Sequence, residues 1–161
     1  MEIVPAESPE QLQQISELFS EYFLWIATDL KLDMGYQKVQ QELQSLPGYY
    51  APPKGRLLLL RDHFQPAGCV ALRPMQDGAC ELKRMYVRPA YRGRGLGRAL
   101  GERVIAEARH IGYPCMRLDT ASVLINAITL YTSLGFCTVE PYYEVPPDVL
   151  LWSVFMEMQL E

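Results

Sequence analysis

The residues best suited to chemistry in this chain lie between Cys80 and His110, around the run Arg92-Gly93-Arg94-Gly95-Leu96-Gly97-Arg98. Glycines at 93, 95 and 97 remove the Cβ atoms that hold a ligand off the backbone, and they permit positive φ. The run opens into an amphipathic helix, so the first unpaired N–H groups and the positive end of the helix dipole face one point. Arg92, Arg94 and Arg98 add mobile positive charge there. The chemistry implied is the binding of an anion, above all a phosphate or pyrophosphate.

Two phosphate motifs are excluded. A Walker-type loop ends in Gly-Lys-Ser/Thr, which supplies a lysine to the phosphates and a hydroxyl to magnesium; here Gly97 is followed by Arg98 and Ala99. A dinucleotide fingerprint is G-x-G-x-x-G after the first strand, with an acidic residue about 20 positions on. This turn is G-x-G-x-G, lies mid-chain and follows its strand by several residues.

The elements that must position the turn are legible on both sides of it. Ser8-Pro9 with Gln11 reads as a capped helix start, followed by Leu12, Ile15, Phe19 and Tyr22 at helical spacing. A second helix is expected from about Gly35 to Leu46, ended by Pro47-Gly48. The apolar run Leu57–Leu60 reads as a buried strand, Gly68 to Leu72 as its hairpin partner, and Glu81 to Val87 as a third antiparallel strand. In that strand Leu82, Met85 and Val87 break the alternation of apolar positions, which one extra residue, a β-bulge, accounts for. The helix from Gly95 puts Leu96, Ala99, Leu100, Val104 and Ala108 on one face and stops at Gly112. Pro114 to Asp119 is then a strand reached by a crossover, hence parallel to the Glu81 strand. A helix over 125–134 capped by Gly135 and a closing antiparallel pair over 136–140 and 151–160 complete the chain, which is read as one domain, 1–161. Residues 1 to 5 supply an edge strand.

The turn resembles the coenzyme A turn of the GNAT superfamily of N-acetyltransferases, Arg/Gln-x-x-Gly-x-Gly/Ala, and Glu81–Pro89 is similar to that family's fourth strand and its exit. A second match, N-A-I-T-L-Y-T-S-L-G-F from Asn126 to Phe136, resembles the family's Asn…Ala…Tyr…Gly-Phe segment. The resemblance covers residues 56 to 136 well and the rest more loosely. It implies an α+β fold of the GNAT type: a single mixed, mostly antiparallel sheet, a central parallel pair splayed at the bulge, and helices on both faces. It also implies acetyl-CoA as cofactor, with backbone groups of Met85, Tyr86 and Val87 on the pantetheine arm and Asn126 hydrogen-bonding it. The N–H groups of Gly93, Arg94, Gly95, Leu96, Gly97 and Arg98, with the Arg92 and Arg98 side chains, would hold the pyrophosphate.

An amine that attacks a thioester must be neutral, yet a lysine-like amine has a pKa of ~10.4 and is deprotonated in roughly one molecule per thousand or fewer at neutral pH. A carboxylate in the groove can take the proton, and Glu81 is the candidate; a water chain, or a structural pairing of Glu81 with Lys83 or Arg84, is the alternative. The Met85 N–H is the candidate donor to the acyl oxygen. Tyr131 matches the family tyrosine that lies near the sulfur, and its phenol is the candidate proton donor to the leaving thiolate at neutral pH, with a packing role as the alternative. A non-catalytic acyl-CoA-binding or sensing module on the same fold is the competing reading.

Composition narrows the partners. The 161 residues carry a formal net charge of −4, which argues against a nucleic-acid binder. Seven of the fifteen basic residues, Lys83 to Arg103, fall inside 21 positions, as suits a small anionic ligand. Cys69, Cys80, Cys115 and Cys137 lie far apart without metal-ligand spacing and read as buried free thiols, so no metal is expected. No apolar run reaches the ~20 residues of a membrane span, no signal peptide is legible, and a cytoplasmic location is expected. The acceptor is a small-molecule or peptide amine. Asp29, Asp33, Glu140 and Glu144 lean toward a cationic one, and Trp25, Tyr36 and Tyr142, with Tyr22 and Tyr143, toward stacking contacts. The C-terminal strands are free to pair across a homodimer.

Overall fold

The Ser8 hydroxyl accepts from the Gln11 N–H at 3.2 Å while the Gln11 side chain accepts from the Ser8 N–H at 3.0 Å. This reciprocal cap starts helix α1 (Pro9–Thr28) immediately after strand β1 (Glu2–Pro5). Helix α2 (Tyr36–Ser45) and a single 3₁₀ turn (Gly48–Tyr50) lead to strands β2 (Arg56–Asp62), β3 (Gln65–Pro74) and β4 (Cys80–Val87). After a second 3₁₀ turn (Pro89–Tyr91) come α3 (Leu96–Ile111), β5 (Cys115–Ala121), α4 (Ile125–Leu134) and β6 (Cys137–Val139). Helix α5 (Pro147–Leu150), which the sequence reading passes over as a plain connection, precedes β7 (Ser153–Gln159). The structure is a computed structural model that describes residues 1–161.

All seven strands form one sheet in the order β1-β2-β3-β4-β5-β7-β6, antiparallel except for β4 and β5. Strand β2 is apolar from Leu57 to Leu60 because both of its faces are covered there. Leu58 and Leu60 pack under α3 with Leu100, Val104 and Tyr131, whereas Leu57 and Leu59 pack under α1 with Ile15, Leu18 and Phe19. Helices therefore cover both faces of the sheet, as expected. Leu12 and Tyr22 of the expected α1 stripe are only partly buried, and Leu18, Phe23 and Ile26 carry more of that face. The thiols divide: Cys69 and Cys80 are buried, but Cys115 is half-buried and Cys137, on the outermost strand, is exposed. Burial of all four is thus corrected; Cys137 is open because β6 has a partner on one edge only.

The bulge falls where the apolar spacing indicates. Cys69 pairs with Tyr86 but Ala71 with Lys83, so β4 carries one residue more than β3 across this step. Arg84 absorbs it at φ +56°, a left-handed conformation that costs a non-glycine residue about 1–2 kcal/mol. What holds Arg84 there is tertiary. Its Nε and Nη2 donate to both oxygens of Glu42 on α2, at 2.9 and 3.0 Å, and its guanidinium lies 4.8 Å over the Phe23 ring.

This pair ties α2 to the bulge, and removing one member strands a charge that water scarcely reaches. Glu42→Ala should therefore destabilise the fold by about 3 kcal/mol in a denaturant titration, the low end for breaking a buried pair. Burial works to raise the Glu42 pKa, but the Arg84 hydrogen bonds outweigh it and hold the carboxyl below its ordinary 4.5. That contribution is complete above pH 4.5 and is lost as pH falls through the lower folded value. The acid limb of the stability curve should accordingly be shallower in the variant.

Candidate active site

Gly93 and Gly95 adopt φ of +78° and +73°, and a Cβ built on either meets no atom within 4 Å. Glycine is required at these two positions by backbone conformation rather than by packing. Gly97 is already helical, and there a side chain would press against Leu130 of α4 at 3.4 Å. None of the six successive N–H groups from Gly93 to Arg98 donates a hydrogen bond within the chain; the first main-chain bond of α3 runs from Ala99 to the Gly95 carbonyl. Six unpaired donors in succession at a helix start, beside arginines, fit a diphosphate. The arginines are less free than the sequence suggests. Arg92 Nε donates to the Val87 carbonyl at 2.8 Å, with its guanidinium beside the Trp25 and Tyr86 rings, and Arg98 is held by Glu102 and Ser133. Arg94 rests against Tyr91.

Strands β4 and β5 pair only at Cys80–Met116 and Glu81–Arg117, and beyond that rung they part. Between them opens a cleft of about 1160 Å³ that runs from the glycine turn past Leu82–Val87 on one side and Asp119–Ala121 on the other. The Arg88 N–H donates across to Ala67 on β3. Alternation along the strand then turns the Tyr86 N–H and C=O toward β3 as well, leaving the Met85 C=O and the Val87 N–H on the open side. The expectation that the Tyr86 backbone faces the cleft is therefore corrected: what Tyr86 gives the cleft is its ring. Asn126 and Tyr131, from α4, line the wall opposite β4. Tyr131 packs edge-on to Phe136, and its hydroxyl has no partner in the chain except the Met85 sulfur at 3.9 Å. Burial holds its pKa above the ordinary phenol value, so the hydroxyl stays protonated.

Glu81 does not face the cleft. It is 1% exposed, at the last closed rung of the β4–β5 pair. Its Oε1 accepts from Arg73 at 2.8 Å and its Oε2 from the Tyr142 hydroxyl at 2.7 Å. With both oxygens engaged and the cleft lined by other side chains, Glu81 is not poised to take a proton from a bound amine. Tyr142 shares this correction, being a cover for Glu81 rather than a substrate contact.

Just beyond the last closed rung, Lys83 of β4 and Asp119 of β5 line the cleft. Lys83 Nζ lies 3.8 Å from Asp119 Oδ1 across the opening and 3.9 Å from Glu81, too far for hydrogen bonds. Asp119 Oδ2 accepts from Tyr143, and Arg73 reaches the same basin. Neither Lys83 nor Asp119 stands out in the sequence; only their position two residues beyond the Glu81–Arg117 rung marks them.

Of the other substrate expectations, Trp25 lines the cleft beside Tyr22 and Phe23. Asp29 caps the C-terminus of α1 away from it, and Tyr36 projects from the start of α2 at 78% exposed. Glu140 and Glu144 are exposed and outside the lining; Asp33 is inside it but already accepts the Gly35 N–H at 2.7 Å. The acidic mouth expected for a cationic acceptor is not formed.

A sheet opened at a bulge, with a run of free amides at one end of the opening, defines a protein that takes an extended, phosphate-bearing ligand between two strands. The chain belongs to the acetyltransferase (GNAT) family, whose model matches residues 12–136. An uncharacterized N-acetyltransferase of Schizosaccharomyces pombe is 39% identical over 155 residues, covering 94% of this chain and 90% of its own. A GNAT-family acetyltransferase from Staphylococcus aureus has the same fold, with a TM-score of 0.80 over 99% of both chains at 21% identity. An acetyltransferase from Salmonella typhimurium, solved with its cofactor acetyl-CoA, is 26% identical with a TM-score of 0.66 over 99% of this chain and 94% of its own.

Proposed function

We propose that this protein moves the acetyl group of acetyl-CoA to a primary amine by direct attack, with cofactor and acceptor bound together in the β4–β5 cleft. The observation that carries this reading is the set of six free amides from Gly93 to Arg98 at the end of an opening between two strands. Acetyl-CoA supplies a thioester whose acyl carbon an amine can attack and whose sulfur departs as a thiolate. The amides and Arg98 hold the diphosphate, while Asn126, the Met85 C=O and the Val87 N–H orient the arm. The Met85 N–H, at the bulge, is the donor we assign to the acyl oxygen. Asp119, rather than Glu81, takes the amine proton, since Asp119 Oδ1 lies on the cleft with no hydrogen bond. Glu81 is then a positioning residue for Arg73 and Tyr142. The Tyr131 hydroxyl gives its proton to the leaving sulfur.

In the same proposal the enzyme works in the cytoplasm, which suits four free thiols, and a second copy pairs along β6, the outer strand of the sheet. No helix is long and apolar enough to cross a membrane. The test is release of coenzyme A thiol from acetyl-CoA with a broad amine panel. Amine-dependent release supports the reading; tight coenzyme binding with no release from any amine would turn it toward a binding module.

A further inference from the structure

The acceptor end of the cleft is lined by Arg73, Lys83, Arg84, Glu42 and Asp119, with Glu81 buried behind them, and the hydrogen-bonding capacity of these six groups is unevenly used. Both oxygens of Glu42 are taken by Arg84, with Tyr50 sharing one of them, and both oxygens of Glu81 by Arg73 and Tyr142. Asp119 has one oxygen on Tyr143 and leaves Oδ1 unbonded. Among the cations, Lys83 has three N–H donors and no acceptor within hydrogen-bond distance, although only 14% of its side chain is exposed. Arg73 spends Nε and Nη2 on one Glu81 oxygen and leaves Nη1 without a partner. An ammonium removed from water with its donors unmet is costly. Burial, and next the neighbouring Arg84, push the Lys83 pKa below its ordinary value, so its charge is under-compensated by the protein alone.

What the basin lacks is therefore an acceptor for Lys83 and Arg73, and beside it a donor for Asp119. We infer that the acceptor substrate is an amino acid or a similar small zwitterion, its carboxylate held by Lys83 and Arg73 and its amine by Asp119. One molecule supplies both missing partners only if carboxylate and ammonium are a few bonds apart, because Lys83 Nζ and Asp119 Oδ1 are 3.8 Å apart. A plain cationic amine would meet the Lys83 ammonium with repulsion. Tyr22, Phe23 and Trp25 line the cleft above the basin and offer apolar cover to the rest of the molecule. This inference rests on the acyl-transfer reading and goes beyond it by naming the acceptor class.

The experiment compares three matched series in the thiol-release assay: free amino acids, their carboxamides, and the amines that lack the carboxyl group. The expected result is a kcat/KM at least about thirtyfold higher for the free acids, the range for one or two charge-assisted hydrogen bonds. In Lys83→Met, whose apolar side chain keeps the stem's volume, the loss should fall on the free acids alone and bring the ratio below about threefold. Circular dichroism and melting establish that the variant is folded. Equal or better turnover of carboxamides or plain amines by the wild type would overturn the inference while leaving acyl transfer standing, as would a preference that survives Lys83→Met. Silence with all three series would count against both.

Discussion

Tyr131→Phe should lower kcat about a hundredfold while leaving the KM for acetyl-CoA within twofold. The lower end of the ~10²–10⁴-fold range for a positioned acid or base is the appropriate figure, since the thiolate can still draw a proton from water. The split between the two constants follows from what the hydroxyl does and does not touch. Its one hydrogen-bonding partner in the chain is a thioether at 3.9 Å, while the ring makes the edge contact with Phe136 that phenylalanine would keep. The fold should therefore lose little, and the melting temperature should stay the same or rise slightly. Because burial raises the phenol pKa, the hydroxyl is protonated throughout the neutral range, and the wild-type profile should show no limb from it below pH 10. Steady-state kinetics of both proteins across pH 6 to 9.5 check this; a fall in affinity with unchanged kcat would assign Tyr131 to binding.

The second large effect belongs to the turn. Gly95→Val should weaken coenzyme A binding at least about a hundredfold by calorimetry, the loss expected when two charge-assisted amide contacts of about 1.5–3 kcal/mol each are displaced. Valine at φ +73° is strained, yet its Cβ would meet no protein atom within 4 Å, so binding suffers because the backbone moves or the side chain enters the cleft. The matched control is Gly112→Val at the opposite end of α3. There φ is +102° and the space is equally open, but the position lies far along the helix from the cleft. That variant should lose comparable stability and bind coenzyme A as the wild type does. Equal losses of affinity in the two would mean that general destabilisation explains both.

The parts of this molecule that could be read from sequence are those encoded locally. The Ser8 cap, the glycine stops at 112 and 135, and the doubly covered run Leu57–Leu60 each follow from a few neighbouring residues. Even the bulge left its trace in the spacing of Leu82, Met85 and Val87. Its hinge residue did not, because an arginine at positive φ carries no signal and is held by Glu42, 42 positions away. The surroundings of Glu81 are not legible for the same reason. Its environment is made by Arg73 and by Tyr142, which is 61 residues distant and arrives on the connection before β7. Asp29 and Tyr36 are loop-adjacent and chemically suggestive, but helix geometry directs them away from the opening. Lys83 and Asp119 become neighbours only because β4 and β5 part just beyond Glu81.

The most direct test of coenzyme binding by the glycine turn is a titration of ¹⁵N-labelled protein with coenzyme A, followed at the main-chain amides. The expected result is that the resonances of Gly93 to Arg98 move together, with Val87, and saturate at one equivalent, while Tyr86, bonded toward β3, moves least along that strand. Turn amides that stay in place while saturating shifts appear elsewhere in the molecule would contradict it, whatever activity the protein has.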